Sequence, residues 1–156
     1  MGGGSAESLA YQTCSTIPDV MFLVDTNTFC EAAKPEPNRR VLSRLMARQF
    51  DWATSATAWE EFIAGVAGLP RSERRSKLEA YSESLIEGGL DVLPFDRTAA
   101  EWMGAERARL RKRGVAPAYR DAQIAAVAAT RKLIVITRNV DDFSPFSGVR
   151  VQNWFG

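Results

Sequence analysis

Acidic residues stand at four separate points where an apolar run ends or turns. Asp25 follows "MFLV", Glu60 and Glu61 sit inside "TAWEEFIAGV", Asp121 lies in "YRDAQIAAVAAT", and Asp141 and Asp142 lie in "ITRNVDDF". A carboxylate left unpaired among apolar groups is costly, so each needs a partner, water or a cation. The chain contains no histidine. That removes Ser-His-Asp and Cys-His catalysis, histidine acid–base nuclease chemistry and histidine metal sites. Cys14 and Cys30 cannot by themselves build a disulfide framework or a zinc site. Any hydrolysis here falls to carboxylates acting through hard, oxygen-binding cations. Acids gathered in one crevice repel each other unless divalent cations join them. Mg2+ or Mn2+ suits such ligands, can make hydroxide from water and, as a pair, can stabilise attacking and leaving oxygens at phosphorus.

Taken singly, each acid also has a plainer reading. Asp25 before a turn can cap a helix, and Asp121 in a first helical turn is favoured by the helix N-terminus. Glu60 and Glu61 can be solvated helix surface, although one must lie near the buried face between Trp59 and Phe62, with no obvious cation nearby. Asn139, Asp141 and Asp142 are turn formers, and Thr137 can bond locally or hold a water or phosphate. The case for chemistry lies in their combination.

The elements that must position these residues alternate along the chain. Apolar runs at 21–25, 51–55, 90–95 and 133–139 read as strands, with a last edge strand at 148–154. Helical spacing appears at 36–49 (Val41, Leu42, Leu45, Met46) and at 56–69 (Trp59, Phe62, Ile63, Val66). Further helices are expected at 71–88, with Ser72 as N-cap and Gly88 near the end, at 96–114, with Asp96 near the start, and at 119–132. Strands interleaved with helices imply a mainly parallel sheet covered on both faces, an α/β fold. Ligands of such sheets bind beyond the carboxyl ends of the strands, where Asp25 and the 139–142 group would stand.

The totals set bounds. At 156 residues the chain suits one domain. Its formal charge of +1 argues neither for nor against nucleic acid, because local patches matter more. No stretch approaches the roughly 20 apolar residues of a spanning helix, and the N-terminus lacks a signal peptide's basic and apolar regions. The reducing cytosol is the expected compartment. Residues 1–20 are Gly/Ser-rich at their start and aperiodic; they read as a flexible extension before a domain at 21–156, with Met21 as a natural start.

The ordered set "LVDTN", "EPNRRVLSRL", "SATAWEEFIAGV", "VLPFDRTAAEW", "RDAQIAAVAATRKLIVITRNVDDF" and "VRVQNW" resembles PIN-domain ribonucleases of the VapC type, the toxins of bacterial type II toxin–antitoxin pairs. The resemblance runs from about Met21 to Trp154. It implies a three-layer α/β/α sandwich around a short parallel sheet, and Mg2+- or Mn2+-dependent cleavage of RNA, tRNA or rRNA, leaving 5′-phosphate and 3′-hydroxyl ends. It implies a cognate antitoxin and a homodimer. Carried over by motif, the metal-holding acids are Asp25, Glu61 rather than Glu60, and Asp121. The fourth position, often Asp in that family, is Asn139 here; it can coordinate through its carbonyl or hold a water, with Asp142 supplying charge. Asn27 and Thr137 match polar positions bordering the site.

RNA must also be held. Arg39, Arg40, Arg44 and Arg48 share one helix, and Arg107, Arg109, Arg111, Lys112 and Arg113 crowd the end of another. Such clusters contact phosphates without reading sequence, and could equally receive an acidic antitoxin segment or simply be solvated. Trp52, Trp59, Trp102 and Phe62 sit at apolar spacings and read as core. Two rivals stand beside this reading. A haloacid-dehalogenase-type phosphatase needs a second Asp two residues after the first, where Asn27 stands. A PIN-like interaction module would act mainly in a DNA-binding antitoxin complex, with little nuclease activity.

Overall fold

Val, Ile, Leu and Phe in runs too short for a helical turn pair as strands, and the longer periodic stretches coil around them. The computed structural model describes residues 20–156. Among the described residues, five strands pair in parallel in the order β3-β2-β1-β4-β5: β1 (Phe22–Val24), β2 (Trp52–Ser55), β3 (Val92–Leu93), β4 (Ile134–Ile136) and β5 (Arg150–Gln152). Seven helices flank them: α1 (Thr26–Phe29), α2 (Arg39–Ala47), α3 (Ala56–Ala67), α4 (Glu73–Glu87), α5 (Arg97–Lys112), α6 (Tyr119–Arg131) and α7 (Val140–Phe143), with a 3-10 turn at Cys30–Ala33. β1, β2 and β4 are buried at every position, as strands covered on both faces must be. The three-layer α/β/α architecture is the one expected. The expected extension lies outside the described residues except for Val20, which packs against the core.

Strand register does most of the positioning. The chain runs outward from β1 through β2 to β3, then returns to the other side of β1 as β4 and β5. The switch point therefore falls between β1 and β4, the place where such sheets open a ligand crevice. Val24 is level with Ile136, and the Asp25 N–H donates to the Ile136 carbonyl at 2.9 Å. Asp25 and Thr137 thus leave their strands side by side. Ser55 ends β2 on the same side and accepts from the Ala58 N–H at 3.1 Å, which starts α3 there.

Side-chain caps set the helix starts. Asn38 Oδ1 accepts from the N–H groups of Arg40 and Val41, so α2 begins at Arg39 rather than at the expected residue 36. Ser72 caps α4 as expected, at 3.2 Å, and Asp96, expected only near the start of α5, caps that helix at 2.9 Å. Two helices went unexpected: α1 and α7 have four residues each, too few for a period of 3.6 to show. The strand expected at 90–95 shrinks to Val92–Leu93.

Burial corrects two apolar faces. On α2 the buried stripe is Val41 and Leu45, while Met46 is 67% exposed. On α3 it is Ala58, Phe62 and Val66, four residues apart each time, while Ile63 is exposed. Phe29 anchors the middle, with its ring 6.5, 6.2 and 5.5 Å from those of Trp52, Trp59 and Phe62. Trp102 lies against Phe146. These aromatics are core, as their spacing suggested. No described helix is long and apolar enough to cross a membrane.

Candidate active site

Asp25 combines both of its possible roles. Its backbone and carboxylate open α1, with Oδ1 accepting from the Thr26 N–H at 2.8 Å. The same carboxylate is only 2% exposed and receives two further donors. Thr137 Oγ1 donates to Oδ2 at 3.0 Å, and Arg120 Nη2 donates to Oδ1 at 2.8 Å. Thr137 is itself buried and held by its neighbours, accepting from Asn27 Nδ2 and from the Asn139 N–H, each at 3.2 Å. Asn27 Oδ1 takes the Arg138 N–H at 3.2 Å. Asn27 and Thr137 therefore join the loop after β4 to the start of α1 and orient Asp25.

Arg120 gathers the other acids. Its Nη2 bonds Glu61 Oε2 as well as Asp25, and its Nη1 lies 3.2 Å from Asp121 Oδ1. Glu61 Oε2 also accepts from Thr26 Oγ1 at 3.0 Å. Carboxylates from the ends of β1 and from α3 and α6 thus converge on one guanidinium. The cation that Glu61 lacked in the sequence is Arg120; Glu61, like neighbouring Glu60, is exposed, so neither lies near the buried face as one was expected to. Asp121 does not cap α6: Ala118 holds the N-cap position with no side-chain bond. Burial raises the Asp121 pKa above the usual carboxylate value; Arg120 opposes this, and Asp142 and Asp25 add to it. Asp142 is therefore within electrostatic reach of the cluster, although exposed. Asn139 is exposed at the N-cap of α7, making no side-chain cap bond.

Arg39 and Arg40 stand exposed on the first turn of α2, without contact to the acids among the described residues. A chain of contacts nonetheless brings that turn to the rim. Asn38 Nδ2 reaches the Phe155 carbonyl at 3.5 Å, Arg138 lies 4.8 Å over the Phe155 ring, and Arg138 N–H holds Asn27. On the other side an apolar groove of about 930 Å3 opens beside Phe62, lined also by Cys30, Lys34, Val66, Arg74 and Leu78. Burial first, then Glu61 and Asp25, push the Cys30 thiol up to about 12.

Two residues important to the site escaped the sequence reading. Arg120 is one, and its signal was present: a crevice of three acids demands a cation, and Arg120 adjoins Asp121. Glu106 is the other, a buried acid on α5. It bonds Arg109 Nη2 and Nε at 2.5 and 3.1 Å and accepts from the Ser147 N–H and Oγ at 2.7 and 2.9 Å. Arg109 Nη2 also donates to the Pro145 carbonyl at 3.0 Å. The network holds the segment that follows α7, and so the placement of Asn139 and Asp142.

The donor chemistry fits a divalent cation. Three carboxylates already share one positive group, leaving a net negative site that hard oxygen-binding ions suit. They do not form a ready cage: among the described residues no three Asp, Glu or Cys side chains are grouped closely enough, and the guanidinium stands between them.

A parallel α/β sandwich with carboxylates converging at its switch point defines a class of acid-dependent sites. The chain belongs to the PIN domain family, whose description matches residues 22–147. It is similar to the tRNA(fMet)-specific endonuclease VapC of Salmonella typhimurium, 31% identical over 133 residues, covering 85% of this chain and 97% of that one. Its fold is similar to the structure of FitAcB from Neisseria gonorrhoeae, with a TM-score of 0.77, 32% identity, and 85% and 97% of the two chains covered. It is likewise similar to VapBC-5, a member of the VapBC family of toxin–antitoxin systems from Mycobacterium tuberculosis, with a TM-score of 0.61, 29% identity, and 86% and 97% covered.

Proposed function

We propose that this chain is the ribonuclease toxin of a toxin–antitoxin pair, hydrolysing RNA phosphodiester bonds at the Asp25–Glu61–Asp121 cluster. The observation that carries this is the convergence of those three carboxylates, from three separate segments, at the switch point of a PIN domain. Asp25, Glu61 and Asp121 would hold Mg2+ or Mn2+, with Asn139 and Asp142 completing the set. When bound, the cation supplies a nucleophile from water and stabilises charge at phosphorus. The chain's own residues do the rest. Thr137 and the Thr26 N–H hold Asp25 in one orientation, and Asn27 holds Thr137. Arg39, Arg40 and Arg138 at the rim contact backbone phosphates, which positions RNA without reading its bases. The relative named for tRNA supports a structured RNA target. An antitoxin partner is supported by the toxin–antitoxin relatives, and the groove beside Phe62 offers it an apolar berth.

The test is cleavage of total RNA by the purified protein with Mg2+ or Mn2+, with EDTA, and as the Asp25→Asn and Asp121→Asn variants. Discrete cuts that need metal and vanish in both variants are expected. Full metal-dependent activity in Asp25→Asn would sink the assignment. A second reading, a partner-binding module with little nuclease activity, draws on Asn139 standing where an acid is common. A protein that binds no divalent cation and cuts no RNA would favour it.

A further inference from the structure

Arg120 occupies an unusual place for a cation. One nitrogen, Nη2, contacts Asp25 Oδ1 at 2.8 Å and also bonds Glu61 Oε2, so it bridges two of the carboxylates that would hold a divalent ion. Nη1 covers the third acid, Asp121. Its fit is incomplete: Nε is buried with no hydrogen-bond partner among the described residues. Burial of a guanidinium donor without an acceptor is unfavourable. The side chain is a third exposed and springs from the first turn of α6.

We propose that Arg120 is the resting counter-cation of this site and competes with the divalent ion for Asp25 and Glu61, so that the metal enters only as Arg120 leaves. The inference rests on the metal-nuclease reading above and goes beyond it by assigning a residue that sets metal affinity. The reason is electrostatic. A guanidinium and a divalent ion held by the same carboxylates would repel strongly in a partly buried crevice. The guanidinium keeps its charge at any ordinary pH, so it can leave the site only by moving. In the resting protein Arg120 also offsets the mutual repulsion of the three acids, as a bound divalent ion would in its place.

Calorimetric titration with Mn2+ tests this on the wild type, Arg120→Ala and Arg120→Gln, with Asp25→Asn as control. The Gln variant keeps much of the side chain's length should Ala fail to fold, and circular dichroism checks both. Removing a like charge from the site should tighten Mn2+ binding by at least about tenfold in both variants. Without metal both should melt below the wild type, and Mn2+ should raise their melting temperatures more. Equal or weaker Mn2+ binding by folded Arg120→Gln overturns the competition and leaves the nuclease reading standing. Absence of Mn2+ binding in every protein, with RNA left uncut, overturns both.

Discussion

Replacing Glu106 with Gln removes one charge from a buried network while keeping its shape. The wild-type carboxylate is 6% exposed and accepts four hydrogen bonds, two from Arg109 and two from Ser147. Arg109 first, then Ser147 against the opposing effect of burial, lower its pKa from 4.5 to about 2. A shift of that size corresponds to about 3 kcal/mol of preference for the ionised form in the folded state. Arg109 is a third exposed, so screening by water reduces this to about 2 kcal/mol. Because the folded-state pKa lies below the unfolded one, the unfolded chain binds the proton first as pH falls. The contribution is therefore complete above about pH 5 and is lost between there and about pH 2. Urea denaturation of wild type and Glu106→Gln at pH 7, 4 and 2.5 measures it. The variant should be less stable by about 2 kcal/mol at pH 7, with the gap closing toward pH 2.5, since the other carboxylates titrate in both proteins and cancel. A gap below about 0.5 kcal/mol at pH 7, or one constant across the range, would show that the Glu106 charge does not stabilise the fold in this way.

Asn27→Ala should leave the fold intact and reduce RNA cleavage by about tenfold or more, because Thr137 and the loop after β4 lose their tie to α1 and Asp25 loses its fixed orientation. Single-turnover cleavage assays beside a thermal melt separate that loss from unfolding. Phe29→Ala should destabilise by about 3–5 kcal/mol, since the ring is fully buried among Trp52, Trp59 and Phe62; chemical denaturation reads it, and a loss under about 1 kcal/mol would show that the cluster collapses freely.

Much of the fold follows from the order of residue types alone. Alternating apolar runs and helical periods imply a parallel sheet, whose crevice must open at the carboxyl ends of its strands. Asp25 could be placed there because it ends an apolar run, and Asp121 because it begins a helix. Ser72 could be named as a cap because capping involves residues three apart in sequence, and Asp96 could be placed at a helix start. Local chemistry of this kind is written along the chain and read without knowing the fold.

Side-chain direction and long-range pairing are not written that way. Whether Ile63 or Ala58 faces the core depends on how α3 meets the sheet, and a four-residue helix such as α1 shows no period. Arg120 could be seen beside Asp121, but that its guanidinium also meets Asp25 and Glu61 depends on the register that levels β1 with β4 and on the packing of α6 beside α3. Glu106 likewise looks like one more surface acid until Arg109 and Ser147 close around it. Residue order sets the types of side chain available and the end of the sheet where they gather. Only tertiary packing decided which charges touch, because electrostatic partners in a crevice come from segments brought together by strand register, over separations that no local pattern encodes.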